Sequence, residues 1–479
     1  MVGAPAPHRN LREAMSLHEL TAAQQLKALR AKEIGSRELT EHYLARIERR
    51  AGLGAFVTIN ENALDEATRA DERLAGGDRA ALLGLPLGIK DLAATAGIRT
   101  TFGSAALAEF VPREDSWTAG LLRRAGAVVL GKTNTSEFGA TCYTENDVTP
   151  SPAVTPYAPT RYSSGSSGGA ATAVAAGLLP VAHASDGAGS IRTPAATCHL
   201  VGMKPSRGLV SPAPATSFLL ASTEGPMART VEDAALLLDV MASPAPGDLY
   251  GWRNDGSFSA ALDLQRPLRV AMWTDTGTGE AVDPQAELAV RRTAEVLTGL
   301  GHEVREIPLP ARWDEPVSRA VLAWFAYQVG AVARLMVPPE RTHLLRPYSR
   351  HLLAVNEKLS AADVVMAQAL LARYASTFLA AVDDYDVVLT PTTNGPPVPI
   401  GYYTGDEADL MLKWSCHTPW ANLAGVPAIS LPSHVDGDGL PHGVHLVGRA
   451  RRDAELLALA AQLESAPLWD ELHPPSWHQ

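Results

Sequence analysis

Two glycine-rich segments that carry three serines lie within 28 residues: Gly165-Ser166-Ser167-Gly168-Gly169, then Asp186-Gly187-Ala188-Gly189-Ser190-Ile191-Arg192. Small residues let backbone N–H groups face a ligand without obstruction, and the hydroxyls of Ser166, Ser167 and Ser190 are close enough in the chain to converge on one carbon. That pattern suits acyl transfer, with a serine attacking a carbonyl and N–H groups holding the oxyanion. A serine hydroxyl is a poor nucleophile until a base removes its proton. Leu85-Pro86-Leu87-Gly88-Ile89-Lys90-Asp91 offers one: a lysine at the end of an apolar run, where burial disfavours the charged form. Taken alone, Lys90 reads more readily as a surface lysine with a buried stem.

Rigid elements must hold these loops. Ala170 to Gly177 is a run of small residues that predicts a tightly packed helix, and Leu178 to Ala184 predicts a buried strand. Leu268 to Trp273 and Tyr385 to Thr390 read as further strands, and Pro284 to Leu300 as a helix. Apolar strand-like runs alternate with helical patterns along the chain, which indicates an α/β class. A chain of 479 residues has length for several domains, but the one plausible break, Ser243-Pro244-Ala245-Pro246-Gly247-Asp248 and the polar stretch to Ser259, reads as an excursion.

Two other motifs compete. Gly126 to Thr133 fits the phosphate-loop pattern G-x-x-x-x-G-K-[ST], but its apolar, β-prone centre makes it a strand, not a loop that follows one. Gly165 to Gly169 also fits G-x-S-x-G, the nucleophile elbow, which would make Ser167 the nucleophile. That elbow needs an apolar strand before it, and Pro159-Thr160-Arg161-Tyr162-Ser163-Ser164 is not one.

In order and spacing, Gly88-Ile89-Lys90-Asp91 and the two Gly/Ser segments resemble the core elements of the amidase signature hydrolases. Twenty-four residues separate Ser166 from Ser190, the spacing that family uses between its bridging serine and its nucleophile. Further segments are similar to the family: Gly131-Lys132-Thr133-Asn134, Ser136-Glu137-Phe138-Gly139, Gly202 to Gly208, Gly225 to Ala234, Asn422 to Pro427 and Gly439 to Val444. The resemblance covers nearly the whole chain. It implies Lys90 as general base, Ser166 as bridging serine held through a cis Gly165-Ser166 peptide, and Ser190 as nucleophile. The N–H groups of Gly187, Ala188, Gly189 and Ser190 would form the oxyanion hole. Gly165, Ser167, Asp186 and Arg192 would support the loop. It also implies a single α/β domain over 1–479, a mixed twisted sheet covered by helices on both faces. The catalytic core would span about 80–235 and a variable pocket region about 305–420, with no metal or organic cofactor. Three positions depart from the family pattern: Ala188 and Ser164 replace common glycines, and Thr155-Pro156 replaces a frequent Asn-Pro. An alanine needs ordinary backbone angles, so Ala188 puts the local geometry of the turn in question.

The net charge of −11, with no long basic cluster, argues against a nucleic-acid partner. No run of about 18 uninterrupted apolar residues indicates a membrane span, and Met1 to Glu19 lacks the apolar core of a secretory signal, so cytoplasmic residence is expected. Cys142, Cys198 and Cys416 lack metal-ligand spacing and read as free thiols. The 14 histidines form no metal motif; His183, close to the second loop, reads as a core residue rather than a second base. The expected partner is a small amide or carbamate, bound by a monomer or homodimer. Pocket walls are expected from Phe102–Phe110, Thr141–Asn146, Trp313–Tyr374 and Gly401–Trp420; Trp324, Phe325, Tyr327 and Trp420 are apolar candidates, though each reads more readily as core. The lack of a charged clamp favours neutral, partly hydrophobic aryl amides, with carbamates next. The alternatives are the glutamine-hydrolysing subunit of a tRNA-dependent amidotransferase and a non-catalytic binding protein of the same fold.

Overall fold

The computed structural model describes residues 16–213, 221–404, 407–466, 468–469 and 472–478. Most of Met1 to Glu19, where a secretory signal would stand, and Gly405 and Asp406 of the expected pocket region lie outside the described residues.

Eleven strands among the described residues form one mixed sheet: β1 (Phe56–Ile59), β2 (Pro86–Lys90), β3 (Val128–Thr133), β4 (Val181–Asp186), β5 (Val201–Lys204), β6 (Thr223–Ala228), β7 (Arg269–Met272), β8 (Glu303–Glu306), β9 (Val387–Pro391), β10 (Ala428–Val435) and β11 (Pro441–Gly448). Their spatial order is β1-β3-β2-β4-β6-β5-β10-β11-β9-β7-β8. Parallel pairs β3/β2/β4 sit beside antiparallel β4/β6/β5/β10/β11/β9, and β9/β7/β8 are parallel again. Helices cover both faces of the sheet. The burial of β2, β3 and β11 along their whole length follows from that double cover, and it explains why β2 and the first half of β3 read as continuous apolar runs instead of alternating ones. The edge strand β8, Glu-Val-Arg-Glu, is charged and mostly exposed, which keeps it from templating another sheet.

Within this frame β4 starts three residues later than its apolar pattern suggests and ends on Asp186. Gly177, at φ 63°, and Pro180 turn the chain first, so Leu178 and Leu179 are buried in a connection. The preceding helix, Gly168–Ala175, is buried at every residue. A side chain at Gly169 would meet the Asn134 backbone nitrogen at 2.2 Å, so its small residues are a condition of packing against the sheet. Gly131, Lys132 and Thr133 are strand residues of β3, which removes the phosphate loop. The excursion between Met241 and β7 has no helix or strand; it is tied back where Asp239 accepts from the backbone N–H groups of Phe258 and Ser259, and Phe258 is buried.

Beyond the sheet stand three helices, Glu315–Met336, Pro347–Asn356 and Ala361–Ala381. Asp314 caps the first by accepting from the Val317 N–H, and Ser360 caps the third in a reciprocal box with Asp363. The third is long and apolar enough to cross a membrane by length and composition. In this fold its inward residues, Leu371, Tyr374, Ala375 and Phe378, join Trp273 and Trp420 in a second core, while Val365 and Met366 are exposed.

Candidate active site

Lys90 ends β2 and Asp186 ends β4, at the same end of the sheet because the two strands are parallel; the second Gly/Ser segment continues from β4, and the first leads into the helix Gly168–Ala175. Lys90 is fully buried, and its Nζ donates to Ser166 Oγ at 2.8 Å and to the Ser185 carbonyl at 3.2 Å. Burial brings its pKa down to about 7, against the opposing pull of Asp186 and Glu224. The Gly165-Ser166 peptide is cis. A side chain at Gly165 would press on the Tyr143 backbone at 2.7 Å, so the turn requires glycine there.

Ser167 is buried. Its Oγ donates to the Ser185 carbonyl at 3.0 Å and its N–H to the Ser190 carbonyl at 3.2 Å, so this serine fastens the two turns together. No strand precedes it, and the elbow assignment fails on both counts. Ser190, in contrast, is partly exposed and lines a cavity.

The second turn is held from below by Asp186. Its Oδ1 accepts from the Gly189 N–H at 2.7 Å and its Oδ2 from the Ile191 N–H at 3.1 Å. Arg192 closes a bidentate pair on the same carboxylate, Nε to Oδ2 and Nη2 to Oδ1, both at 2.9 Å, with neither side chain exposed. Asn422 Nδ2 donates to Asp186 Oδ1 at 2.9 Å, and Arg192 Nη1 reaches the Thr418 carbonyl and His445 Nε2. Burial acts to raise the Asp186 pKa, but Arg192 and its hydrogen bonds outweigh it and hold the carboxyl well below the usual range. One correction to the expected oxyanion set follows: the Gly189 N–H points to Asp186, which leaves Gly187, Ala188 and Ser190 as candidate donors.

The departures from the family pattern have local explanations. Ala188 lies outside the left-handed region, so its backbone is ordinary, and its carbonyl accepts from Thr418 Oγ1 at 2.7 Å. Ser164 does adopt a left-handed φ of 66°, and its Oγ offsets this by donating to the Cys142 carbonyl and meeting Thr193 Oγ1, each at 3.0 Å. Thr155 Oγ1 donates to the Thr197 carbonyl at 2.8 Å.

The cavity above Ser190 has a volume of about 370 Å³. Gly187, Ala188, Gly189 and Ser190 form its floor, and Trp313, Trp324, Phe325, Tyr348, Met411 and Leu412 are among its walls. Trp324 and Phe325, which the sequence reads more readily as core, are wall residues. Trp420 is not: it is buried against Phe378, ring centroids 5.0 Å apart. Tyr327 and the Phe102–Phe110 segment do not line the cavity either. Trp313, Tyr348, Met411 and Leu412 carry no individual signal in the sequence. Ala408, Met411, Leu412 and Ser415 recur at helical spacing on Glu407–Ser415, a periodicity that marks an inward face but cannot distinguish a core from a pocket.

A family model described as Amidase matches residues 38–457. The chain belongs to the amidase signature family of hydrolases that act on C–N bonds. It is 35% identical over 484 residues to a glutamyl-tRNA(Gln) amidotransferase subunit from Chromohalobacter salexigens, covering 96% of this chain and 99% of that one. Among solved structures it is similar to a 6-aminohexanoate cyclic dimer hydrolase complexed with substrate (TM-score 0.88, 27% identity, 97% of this chain and 100% of that chain). It is also similar to a bacterial aryl acylamidase of the amidase signature enzymes (TM-score 0.84, 27% identity, 95% and 97%).

Proposed function

We propose that this chain hydrolyses neutral, partly hydrophobic aryl amides through an acyl-enzyme on Ser190, with aryl carbamates as a second substrate class. The observation that carries this reading is the buried Lys90–Ser166 contact beside a glycine-rich turn that floors an apolar cavity. Neutral Lys90 takes a proton from Ser166 as Ser166 takes one from Ser190. Ser190 Oγ then bonds to the substrate carbonyl carbon, and the N–H groups of Gly187, Ala188 and Ser190 receive the oxyanion; one such donor is worth about 3 kcal/mol in other hydrolases. As the C–N bond breaks, Ser166 returns the proton to the departing amine and is itself reprotonated by Lys90. Water, deprotonated along the same path, attacks the ester and releases the acid and Ser190. No residue in this sequence of steps calls for a metal or organic cofactor.

The cavity supports the substrate class. Its lining is mostly apolar, and the cation in it, Arg319, already faces Glu315 at 3.4 Å. The lining acid Asp409 is paired with Lys413 at 2.9 Å. A free amino acid would have to bring a carboxylate against this wall, whereas an aryl ring gains about 25 cal/mol for each Å² of apolar surface removed from water.

A second reading, glutamine hydrolysis for an amidotransferase, is favoured by the name of the 35% identical relative. The test is to incubate the purified chain with 4-nitroacetanilide, a 4-nitrophenyl-substituted carbamate and glutamine while following nitroaniline, nitrophenol and ammonia. Release from the anilide by the isolated chain is expected. Ammonia from glutamine alone, stimulated by added partner proteins, would overturn the choice of substrate.

A further inference from the structure

The mechanism above leaves unused a buried imidazole that touches the base. His183 lies on β4 with 1% exposure, and its Nδ1 accepts the backbone N–H of Lys90 at 3.2 Å. An Nδ1 that accepts is unprotonated, so the neutral ring carries its proton on Nε2. That nitrogen stands 3.4 Å from Glu224 Oε2, a long electrostatic contact more than a tight hydrogen bond. Glu224 is on β6, directly paired with Ser185, whose carbonyl accepts from Lys90 Nζ. The backbone N–H and the Nζ of Lys90 thus both abut the strand pair that carries His183 and Glu224.

We infer that His183 and Glu224 form a positioning pair for Lys90: His183 fixes the end of β2 from which the lysine reaches Ser166, and the Glu224 carboxylate sets how readily that lysine holds its proton. This rests on Lys90 being the base. The charged and titratable groups around the pair are few. Asp186 at the end of β4 and Glu224 on β6 both favour the protonated lysine. Lys132 on β3 neighbours Glu224, and its Nζ donates to Thr95 Oγ1 at 2.7 Å and to the Ala93 carbonyl. Asp91 accepts from the Thr101 and Gly103 N–H groups and is drawn to Lys132. Burial acts to raise the Glu224 pKa, but the contact with His183 and the charge of Lys132 outweigh it and hold the carboxyl below its ordinary value.

The sign follows directly. Removal of the Glu224 charge makes Lys90 easier to deprotonate, so the rise in Ser190 reactivity with pH moves to lower pH. Glu224→Gln keeps the side-chain volume and an acceptor for His183 while removing that charge. His183→Leu removes the acceptor for the Lys90 N–H, and His183→Asn supplies one again through Oδ1.

The experiment follows phosphonylation of Ser190 by an aryl fluorophosphonate from pH 5 to 9, a reaction in which Ser190 Oγ bonds to phosphorus, fluoride leaves, and the proton passes through Ser166 to Lys90. Relative to its own plateau, Glu224→Gln should show a midpoint about half a pH unit below wild type, roughly a threefold gain on the acid side. His183→Leu should label about tenfold more slowly at every pH, with most of the loss recovered in His183→Asn. A Glu224→Gln midpoint that stays in place or moves up overturns the inference even if His183→Leu does not fold. So does wild-type labelling by a folded His183→Leu. Lys90→Ala is run alongside: if it labels as fast as wild type with the same pH dependence, the assignment of the base itself falls, whatever the other variants do.

Discussion

The end of the sheet and the helical wall above it are built on opposite terms. At the sheet end, Asp186 and Arg192 are fully buried and their carboxylate and guanidinium groups are met by Gly189, Ile191, Asn422, Thr418 and His445. A buried charge is tolerated only when its lone pairs and protons are satisfied in this way, so the network leaves little room for substitution. Most of the wall consists of single side chains from Glu315–Met336 and Glu407–Ser415, with Trp313 and Tyr348 added from neighbouring segments. Chemistry is thereby fixed by a network, and specificity by a surface that can change one residue at a time.

The sheet end also shows what burial alone does not accomplish. Lys132 and Lys204 are as buried as Lys90, and desolvation lowers them to about 8 and 7. Yet Lys132 meets Ala93 and Thr95, and Lys204 donates to the Pro205 and Val426 carbonyls at 3.0 and 2.6 Å. Of these three, Lys90 is the one bonded to a serine of the cis Gly165-Ser166 pair. A lowered pKa makes an available base; a hydroxyl in reach makes a useful one.

The largest expected effect that sharpens this contrast is the loss on Lys90→Ala, about a thousandfold in kcat/KM at every pH tested. In wild type kcat/KM should fall as pH drops below about 7, because the lysine then takes up a proton and cannot accept one from Ser166. Pre-steady-state and steady-state assays across pH 5 to 9 read both effects. An alkaline-rising rate retained by Lys90→Ala would move the base elsewhere.

Next in size is the network. Arg192→Met leaves the Asp186 carboxylate buried without its cation, which costs about 3–5 kcal/mol of stability. Thermal denaturation should show a clear drop in Tm together with lost activity. A Tm equal to wild type would mean that the sheet end is no more constrained than the wall.

The smallest effect belongs to the wall. Phe325 is half-buried and lines the cavity, so Phe325→Ala should raise KM for an aryl amide about tenfold while kcat and Tm change little. A fall in kcat without a change in KM would place this ring among the positioning groups instead.

Much of the sheet end was legible from residue types. Ser166, Ser167, Ser190 and Lys90 stand out because acyl transfer needs such groups, and the glycines because the backbone must approach closely, but the separate roles of Lys90, Ser166 and Ser190 came from the resemblance to the family. The companions of Arg192 were not, since Thr418, Asn422 and His445 lie 226 to 253 residues away and the topology of β10 and β11 brings them in. The start of β4 was misplaced because Leu178 and Leu179 are buried without being strand, and burial is what an apolar run reports. Trp420 was a pocket candidate for the same reason: an aromatic side chain in a variable segment reads the same whether it faces a cavity or stacks on Phe378. Only the fold decides between them.

The central claim is that Ser190, and not the neighbouring Ser167, carries the acyl group. The measurement is intact-mass and peptide mass analysis of the enzyme quenched during turnover of a slowly released aryl carbamate. A carbamoyl increment confined to the peptide bearing Ser190, absent from Ser190→Ala, is predicted; an increment on Ser167, or turnover by Ser190→Ala at the wild-type rate, would contradict the account.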